Sequence, residues 1–226
     1  MSTFDTFAED FAWWAETANP KRYDELIGEH VPVRIGCALD VGCGPGLLCE
    51  WLSRRADRVT GLDVSEAMVR IARRRAAMAG LHNIEVVEGD IEAPPFAAGT
   101  FDLVVSDTAI HDTAMARSLP AMRSLVRPGG IVIVRDIITH DPRRAASPFW
   151  QLMGTVRNIP AYVGRHGIPT TVRLVRFEAS PTWVRHRAEG RELTPAKFEE
   201  EYDRYLRGST FTRRAWFMTA VWQAPA

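Results

Sequence analysis

Apolar positions along the chain fall into two alternating textures. Phe4, Phe7, Phe11, Trp14 and Ala18 recur at three- and four-residue steps, the spacing of one helical face. Pro20 is placed to open a second short helix carrying Tyr23, Leu26 and Ile27. Beyond Val33, short and nearly continuous apolar runs take over, at 37–41, 58–62, 84–88, 101–105 and 131–135. The stretches between them return to helical spacing. Val64, Met68 and Ile71 define one inward face, with Arg70, Arg73 and Arg74 turned to water; Met115, Leu119, Met122 and Val126 define another. Strands that are apolar on both sides, alternating with helices, predict an α/β fold with a parallel sheet covered on both faces.

After Asp136 the alternation breaks. Residues 139–171 contain Pro142, Pro148, Pro160 and Pro169 together with Phe149, Trp150 and Tyr162. That stretch is too long for a plain connection and is expected to form its own helices over one end of the sheet. Such an insertion would cap a substrate, with Phe149 and Trp150 as its apolar walls. A strand near 172–177, a helix near 195–206 opened by Thr194-Pro195, and a last strand near 215–222 complete the prediction, with Trp216 and Trp222 as core residues. The whole of 1–226 is expected to be one domain, with 1–32 as N-terminal helices.

Composition narrows the function. With 226 residues, 46% hydrophobic and 25% charged, the chain is neither disordered nor dependent on disulfide staples. Lys+Arg and Asp+Glu are both 28, and a net charge of zero argues against DNA or RNA as a substrate. No run approaches the roughly 18 apolar residues a membrane span needs, so no membrane partner is expected. The acidic start lacks the basic and apolar blocks of a secretion signal, which gives a cytoplasmic expectation. Cys37, Cys43 and Cys49 match no common zinc spacing and read as reduced small residues, so no metal site is expected.

The chemistry lies in residues 39–46, Leu-Asp-Val-Gly-Cys-Gly-Pro-Gly. A strand runs into Gly42-x-Gly44-x-Gly46 and a helix starts at Leu47. Glycines let the backbone turn sharply and let a ligand lie against it, and the helix start behind them offers backbone N–H groups. Asp63 closes the next strand about twenty residues on, where an acid can accept hydrogen bonds from both hydroxyls of a ribose. A dinucleotide-binding loop would want a third glycine where Leu47 stands, and here Pro45 has also entered the loop. A ribose-bearing ligand without a pyrophosphate therefore fits better than NAD.

The ordered set Asp40-Val-Gly-Cys-Gly-Pro-Gly46, Asp63-Val-Ser65, Glu88-Gly-Asp90-Ile-Glu92, Phe101-Asp-Leu-Val-Val-Ser-Asp107 and Leu125-Val-Arg-Pro-Gly-Gly130 resembles the motifs of class I S-adenosylmethionine-dependent methyltransferases, over about 37–136. The resemblance implies a Rossmann-like three-layer sandwich: a seven-stranded, mostly parallel sheet whose last strand is antiparallel, with a helical insertion after the fifth. It implies that the loop of Gly42, Cys43, Gly44 and Gly46 lines the methionine end of S-adenosyl-L-methionine and that Asp40 orients its ammonium. Asp63 would grip the ribose and Val64 pack on the adenine, with Asp90 at the adenine amino group and Ile91 against the ring. Ser106 and Asp107 would sit beside the transferred methyl, and Trp14 or Tyr23 would close the cofactor from the N-terminal helices.

A small-molecule acceptor of oxygen or nitrogen type is expected, and a hydroxyl acceptor needs a base. The candidates are His111 after the fourth strand, His140 after the fifth and His166 in the insertion, since an imidazole pKa near ~6.5 suits the task. Each has an ordinary alternative as a surface or hydrogen-bonded structural histidine. Asp107 and Asp136 could hold a metal as in catechol-type relatives, but Ile137 stands where that pattern wants Asn. The competing readings are an NAD(P)-dependent oxidoreductase and a methyltransferase-like protein that binds the cofactor without turnover.

Overall fold

All five apolar runs read as strands in the first part of the chain are strands. The computed structural model describes residues 3–17 and 23–226. Ala18 and Pro20, named above as helix residues, lie outside the described residues. The strands are β1 (Ile35–Val41), β2 (Ala56–Asp63), β3 (Ile84–Glu88), β4 (Phe101–Asp107), β5 (Val126–Ile137), β6 (Thr210–Arg214) and β7 (Phe217–Gln223). They form one sheet in the order β3-β2-β1-β4-β5-β7-β6. Pairings from β3 through β5 are parallel, and β7 lies antiparallel to both β5 and β6. The expected seven-stranded sheet with one antiparallel strand is therefore present.

The helices are α1 (Ala8–Thr17), α2 (Tyr23–Leu26), α3 (Leu47–Leu52), α4 (Glu66–Met78), α5 (Met115–Leu125), α6 (Pro142–Ala145), α7 (Pro148–Glu178), α8 (Pro181–Glu189) and α9 (Pro195–Tyr205). Strand alternation divides the core between the two faces. Leu39, Val104, Val132 and Val134 face α5 and α9, where Leu119, Met122, Phe198 and Tyr202 are buried. Ala38, Leu103, Val105 and Ile133 face the other way, onto Leu48, Leu52, Val69 and Ala72 of α3 and α4. The Ser65 hydroxyl accepts the Met68 N–H and so caps α4. The same hydroxyl donates to Asp5, 2.6 Å away, which ties the N-terminal segment to α4. Ala8 and Ala12 of α1 then pack on Met68 and Ile71.

Three expectations need correction. Residues 172–177 are not a strand; they are the last turns of α7. Thr171, Leu174 and Phe177 are buried at three-residue steps while Val172 is exposed, so a helical face overrides the β-branched composition. The sixth strand is Thr210–Arg214, an edge strand with a single large apolar side chain, Phe211. The last strand begins at Phe217 because Ala215, with φ 52°, and Trp216 form the turn that precedes it. Trp216 is accordingly exposed, whereas Trp222 is buried as expected.

The region after β5 is helical, as predicted, but it runs on to Glu189. Gly167 (φ 76°, ψ 170°) leaves the helical region and divides α7 into two pieces. The buried positions of α7 give a direct test of the helix. Leu174→Ala should cost about 2–5 kcal/mol in urea unfolding, the usual cost of emptying a fully buried leucine site. Val172→Ala should stay within about 0.5 kcal/mol. Equal losses would fit a strand, where 172 and 174 share a face.

Candidate functional site

Strand order fixes where a ligand can lie. The chain leaves β1 toward β2 on one side, while β4 pairs with β1 on the other, so the loops leaving β1 and β4 diverge and open a crevice at their carboxyl ends. A cleft of about 1050 Å³, mouth included, opens there. Its floor is Asp40 through Pro45 with Leu47 and Leu48, its sides are Asp63, Val64, Asp90, Ile91, Asp107 and Thr108, and its far end is Ile110, Asp112 and Thr113. Gly46, expected to line it, instead packs against Ala72 of α4.

The glycine loop has a left-handed backbone at Gly42, Gly44 and Gly46 (φ 67°, 50° and 83°). A side chain at Gly42 would also place its Cβ 2.3 Å from that of Ala109. Gly44 is different: only Phe11 comes near its Cβ position, at 3.9 Å, on the cleft side. The loop amides are largely used within the protein. Gly42 and Cys43 N–H both donate to the Leu62 carbonyl, and Gly46 N–H donates to Cys43. Gly44 N–H donates to Asp63 Oδ2 at 2.8 Å. Amides committed in this way are poorly suited to cradle a pyrophosphate.

Asp63 is the pivot of the cleft. Its other oxygen accepts the Ser65 N–H at 2.9 Å. Burial raises its carboxyl pKa against the opposing pull of these amides, and the Asp5 charge adds to the rise. The Val64 amide pulls in the same direction as those of Gly44 and Ser65, and the carboxylate lines the cleft. Asp40 is buried at the cleft floor and accepts the Cys49 thiol at 3.2 Å. Hydrogen bonding to Cys43, burial and the Asp40 charge hold the Cys49 thiol well above its ordinary pKa, so it stays protonated.

The remaining predicted residues separate. Val64 and Asp90 are exposed at the cleft side, and Ile91 is buried against it; Asp90 Oδ1 accepts the Glu92 N–H. Tyr23 lines the cleft floor, and burial followed by the Asp107 and Asp40 charges raises its phenol pKa. Trp14 does not line the cleft: its indole N–H donates to Glu178 at 3.0 Å, and Phe4 and Phe11 line the cleft from the N-terminal segment instead. Ser106 is buried beneath the loop, where its hydroxyl donates to the Val41 carbonyl and ties β4 to β1.

Asp107 lines the cleft but is not a free base. Arg135, its register partner on β5, donates to it at 2.5 Å, and both side chains are nearly buried. The same guanidinium lies 3.7 Å from the centre of the Phe217 ring.

His111 sits on a short 3₁₀ turn, Ile110–Asp112. Asp136 holds it twice, accepting its backbone N–H at 2.9 Å and pairing with Nδ1 at 2.6 Å. His111 does not itself line the cleft; its Nε2 lies 3.6 Å from Asp112, which does, and His186 of α8 approaches the same Asp112 oxygen at 3.7 Å. Burial lowers the His111 pKa, but the charge and hydrogen bond of Asp136, with Asp112 and Glu192 behind them, outweigh it and hold the imidazole up to about 9. His140 is exposed and pairs with Arg213 at 2.7 Å, away from the cleft. His166 lies among the helices of the insertion, beside Tyr162, and does not line the cleft either. Among the described residues no cluster of three or more metal-ligand side chains occurs. Asp107 and Asp136 are committed to Arg135 and His111.

The cleft-lining Phe4 and Phe11 belong to a roof whose outer members do not line the cleft and were not visible in the sequence. Phe177, Trp183 and His186 meet Phe4, Phe7 and Phe11 in one aromatic cluster, with Phe4 and His186 rings 4.7 Å apart. Phe149 and Trp150, expected as pocket walls, are exposed instead, with Arg144 over the Trp150 ring.

The family model of the methyltransferase domain matches residues 38–130. An uncharacterized methyltransferase of Mycobacterium bovis is 36% identical over 59% of this chain and 66% of its own length. The match thus spans just under two thirds of that relative. A ubiquinone biosynthesis O-methyltransferase of Xylella fastidiosa is 29% identical over 82% of this chain and 77% of its own. Among solved structures, a SAM-dependent methyltransferase from Aquifex aeolicus superposes with a TM-score of 0.62 at 14% identity, covering 99% of this chain and 98% of that one. The last likeness concerns the fold.

The raised His111 pKa predicts a pH dependence of stability. A folded pKa of about 9 against 6.5 in the unfolded chain stabilises fully below pH 6.5 and is lost as pH rises through about 9. Between those limits the wild type should lose up to about 3 kcal/mol more than His111→Gln, read from urea midpoints. Parallel pH curves for the two proteins would remove the His111–Asp136 ion pair.

Proposed function

We propose, for a chain that belongs to the class I S-adenosylmethionine-dependent methyltransferases, that it binds S-adenosyl-L-methionine in the cleft and transfers its methyl group to an oxygen or nitrogen of a small-molecule acceptor. The observation that carries this reading is Asp63. Backbone amides fix its carboxylate at the end of β2, where it lines a cleft whose neighbouring loop has spent its amides. That donor set suits a ribose without a pyrophosphate, which also disfavours the NAD(P) alternative. When bound, the cofactor supplies a methyl group on a sulfonium, already activated for in-line displacement.

The chain's own part is to bind and orient. Asp63 takes the ribose hydroxyls, and Asp40 orients the ammonium above Gly42, Cys43 and Gly44. Val64 and Ile91 hold the adenine from its faces, with Asp90 at its amino group. Tyr23 and Phe11 close the methionine side. Orienting acceptor and methyl accounts for about 7–11 kcal/mol of a barrier in favourable cases. The acceptor lies under the aromatic roof, beyond Asp107, whose charge Arg135 balances. A hydroxyl is the acceptor favoured first, because the relative from Xylella fastidiosa is named an O-methyltransferase.

For a hydroxyl acceptor His111 is the base. Asp136 fixes its Nδ1, which leaves Nε2 toward Asp112 at the cleft end. The imidazole must be neutral to take the proton, so turnover should climb with pH toward about 9. The reading includes a single cytoplasmic domain, with the helices after β5 as substrate cap.

Calorimetry with S-adenosylhomocysteine tests the cofactor site. Asp63→Ala should weaken binding at least tenfold, about 1.4 kcal/mol. Heat with NADH and none with S-adenosylhomocysteine would move the chain to the oxidoreductases. His111→Ala should keep that affinity and lose about 10²–10⁴-fold in turnover. The acceptor is found by incubating labelled cofactor with small-molecule extract. A protein that binds the cofactor but labels nothing would be a binding module.

A further inference from the structure

Helix α7 is built the wrong way round for a helix that only packs on its own protein. Its inward positions include the polar residues Gln151 and Thr155, both buried. Gln151 donates to the Ala145 carbonyl, and Thr155 back-bonds to Gln151. Phe149, Met153 and Val156, at the spacing of one helical face, are 62%, 45% and 54% exposed. Leu152, Pro160 and Val163 extend the same stripe. It spans 15 residues, roughly 22 Å at 1.5 Å per residue. No helix among the described residues is long and apolar enough to cross a membrane.

Charge says what covers this stripe. The chain as a whole has no net charge, yet residues 142–177 contain Arg143, Arg144, Arg157, Arg165, Arg173 and Arg176 and no Asp or Glu. Asp10 pairs with Arg173 and Asp141 with Arg144. Arg143, Arg157, Arg165 and Arg176 have no ion-pair partner among the described residues. Trp150, an amphipathic ring suited to a water–lipid boundary, lies beside the stripe under Arg144. A second copy of the chain on this face would bring arginine to arginine with no acid to answer it. A nucleic acid would answer the arginines and leave the apolar stripe wet.

The geometry points to α7 as an interfacial helix that docks reversibly on an anionic lipid bilayer, its Phe149–Val163 stripe in the acyl boundary and its arginines among the headgroups. Lying on a bilayer makes different demands from spanning one, and the sequence expectation of no membrane partner considered spanning alone. The inference goes beyond the methyl-transfer reading, and its test uses neither cofactor nor acceptor.

The test is co-sedimentation of the full chain with vesicles of phosphatidylcholine alone and of phosphatidylcholine with one-third phosphatidylglycerol. At low salt, partition onto the anionic vesicles should be at least about tenfold stronger and should fall as salt rises. The double change Arg157→Glu and Arg165→Glu should abolish the difference. Phe149→Asp with Val156→Asp should weaken binding to the anionic vesicles about tenfold or more while thermal unfolding by circular dichroism is unchanged. Equal partition onto both vesicles, or none, overturns the proposal whatever the variants do. So does light scattering that shows a wild-type dimer turned to monomer by the Phe149/Val156 changes, since a second copy would then own the face.

Discussion

The reversal of strand order at β1 governs the molecule. Because β1 pairs with β2 on one side and β4 on the other, the chain must leave its carboxyl end in one direction and return beside it much later. No side chain from either connection can fill the space between, so a crevice is a consequence of topology before any residue is chosen. The residues then keep that crevice in one shape. The Leu62 carbonyl takes two amides of the loop after β1, Asp63 takes a third, and the Ser106 hydroxyl ties β4 to the last residue of β1. Each bond joins neighbouring strand ends across the opening, so the floor is set by the sheet itself.

How much of this was legible depends on the kind of signal each residue carries. Strands β1, β4 and β5 were readable because a strand buried on both faces must be apolar over its inner stretch, and β2 and β3 by the apolar residues they still bury, Val59, Leu62 and Val86. The glycine loop was readable because left-handed backbone favours glycine. Residues 172–177 misled because Thr171, Val172 and Val175 favour strands, and only the partners that bury Leu174 and Phe177 make them a helix. Strand β6 was invisible for the opposite reason: an edge strand next to solvent needs little apolar surface, and Thr210–Arg214 has one large apolar side chain.

The candidate site shows the same division. Positions set by local backbone, such as Gly42, Gly44 and Asp63, were readable. Pairings made across the sheet were not. His111 was readable as a histidine after a strand, but its partner Asp136 lies 25 residues on and nothing in the spacing joins them. Arg135 offered a signal that went unused: a lone arginine in the run Ile-Val-Ile-Val-Arg must find a partner to be buried, and Asp107 is the acid in register with it. Ser106 and Trp14 were misplaced because a polar or aromatic residue near a site can serve the frame as readily as the ligand.

Arg135 and Asp136 are neighbours on β5 and serve opposite faces of the sheet. One neutralises Asp107 at the cleft; the other holds His111 and stands against Tyr202 of α9. Two buried charges of opposite sign in adjacent positions leave the strand end neutral as a whole, which eases the cost of burying either. They also couple the cleft to its surroundings. Asp136 holds the turn of His111, the turn carries Asp112, and Asp112 faces His186 on the first helix beyond α7. The roof is thus joined to the sheet by a chain of ionisable side chains. Its outer wall is the second piece of α7, which Gly167 separates from the piece that carries the apolar stripe. A displacement of that second piece would reach Asp112 by way of Phe177, Trp183 and His186, whose rings stand in contact one after the next.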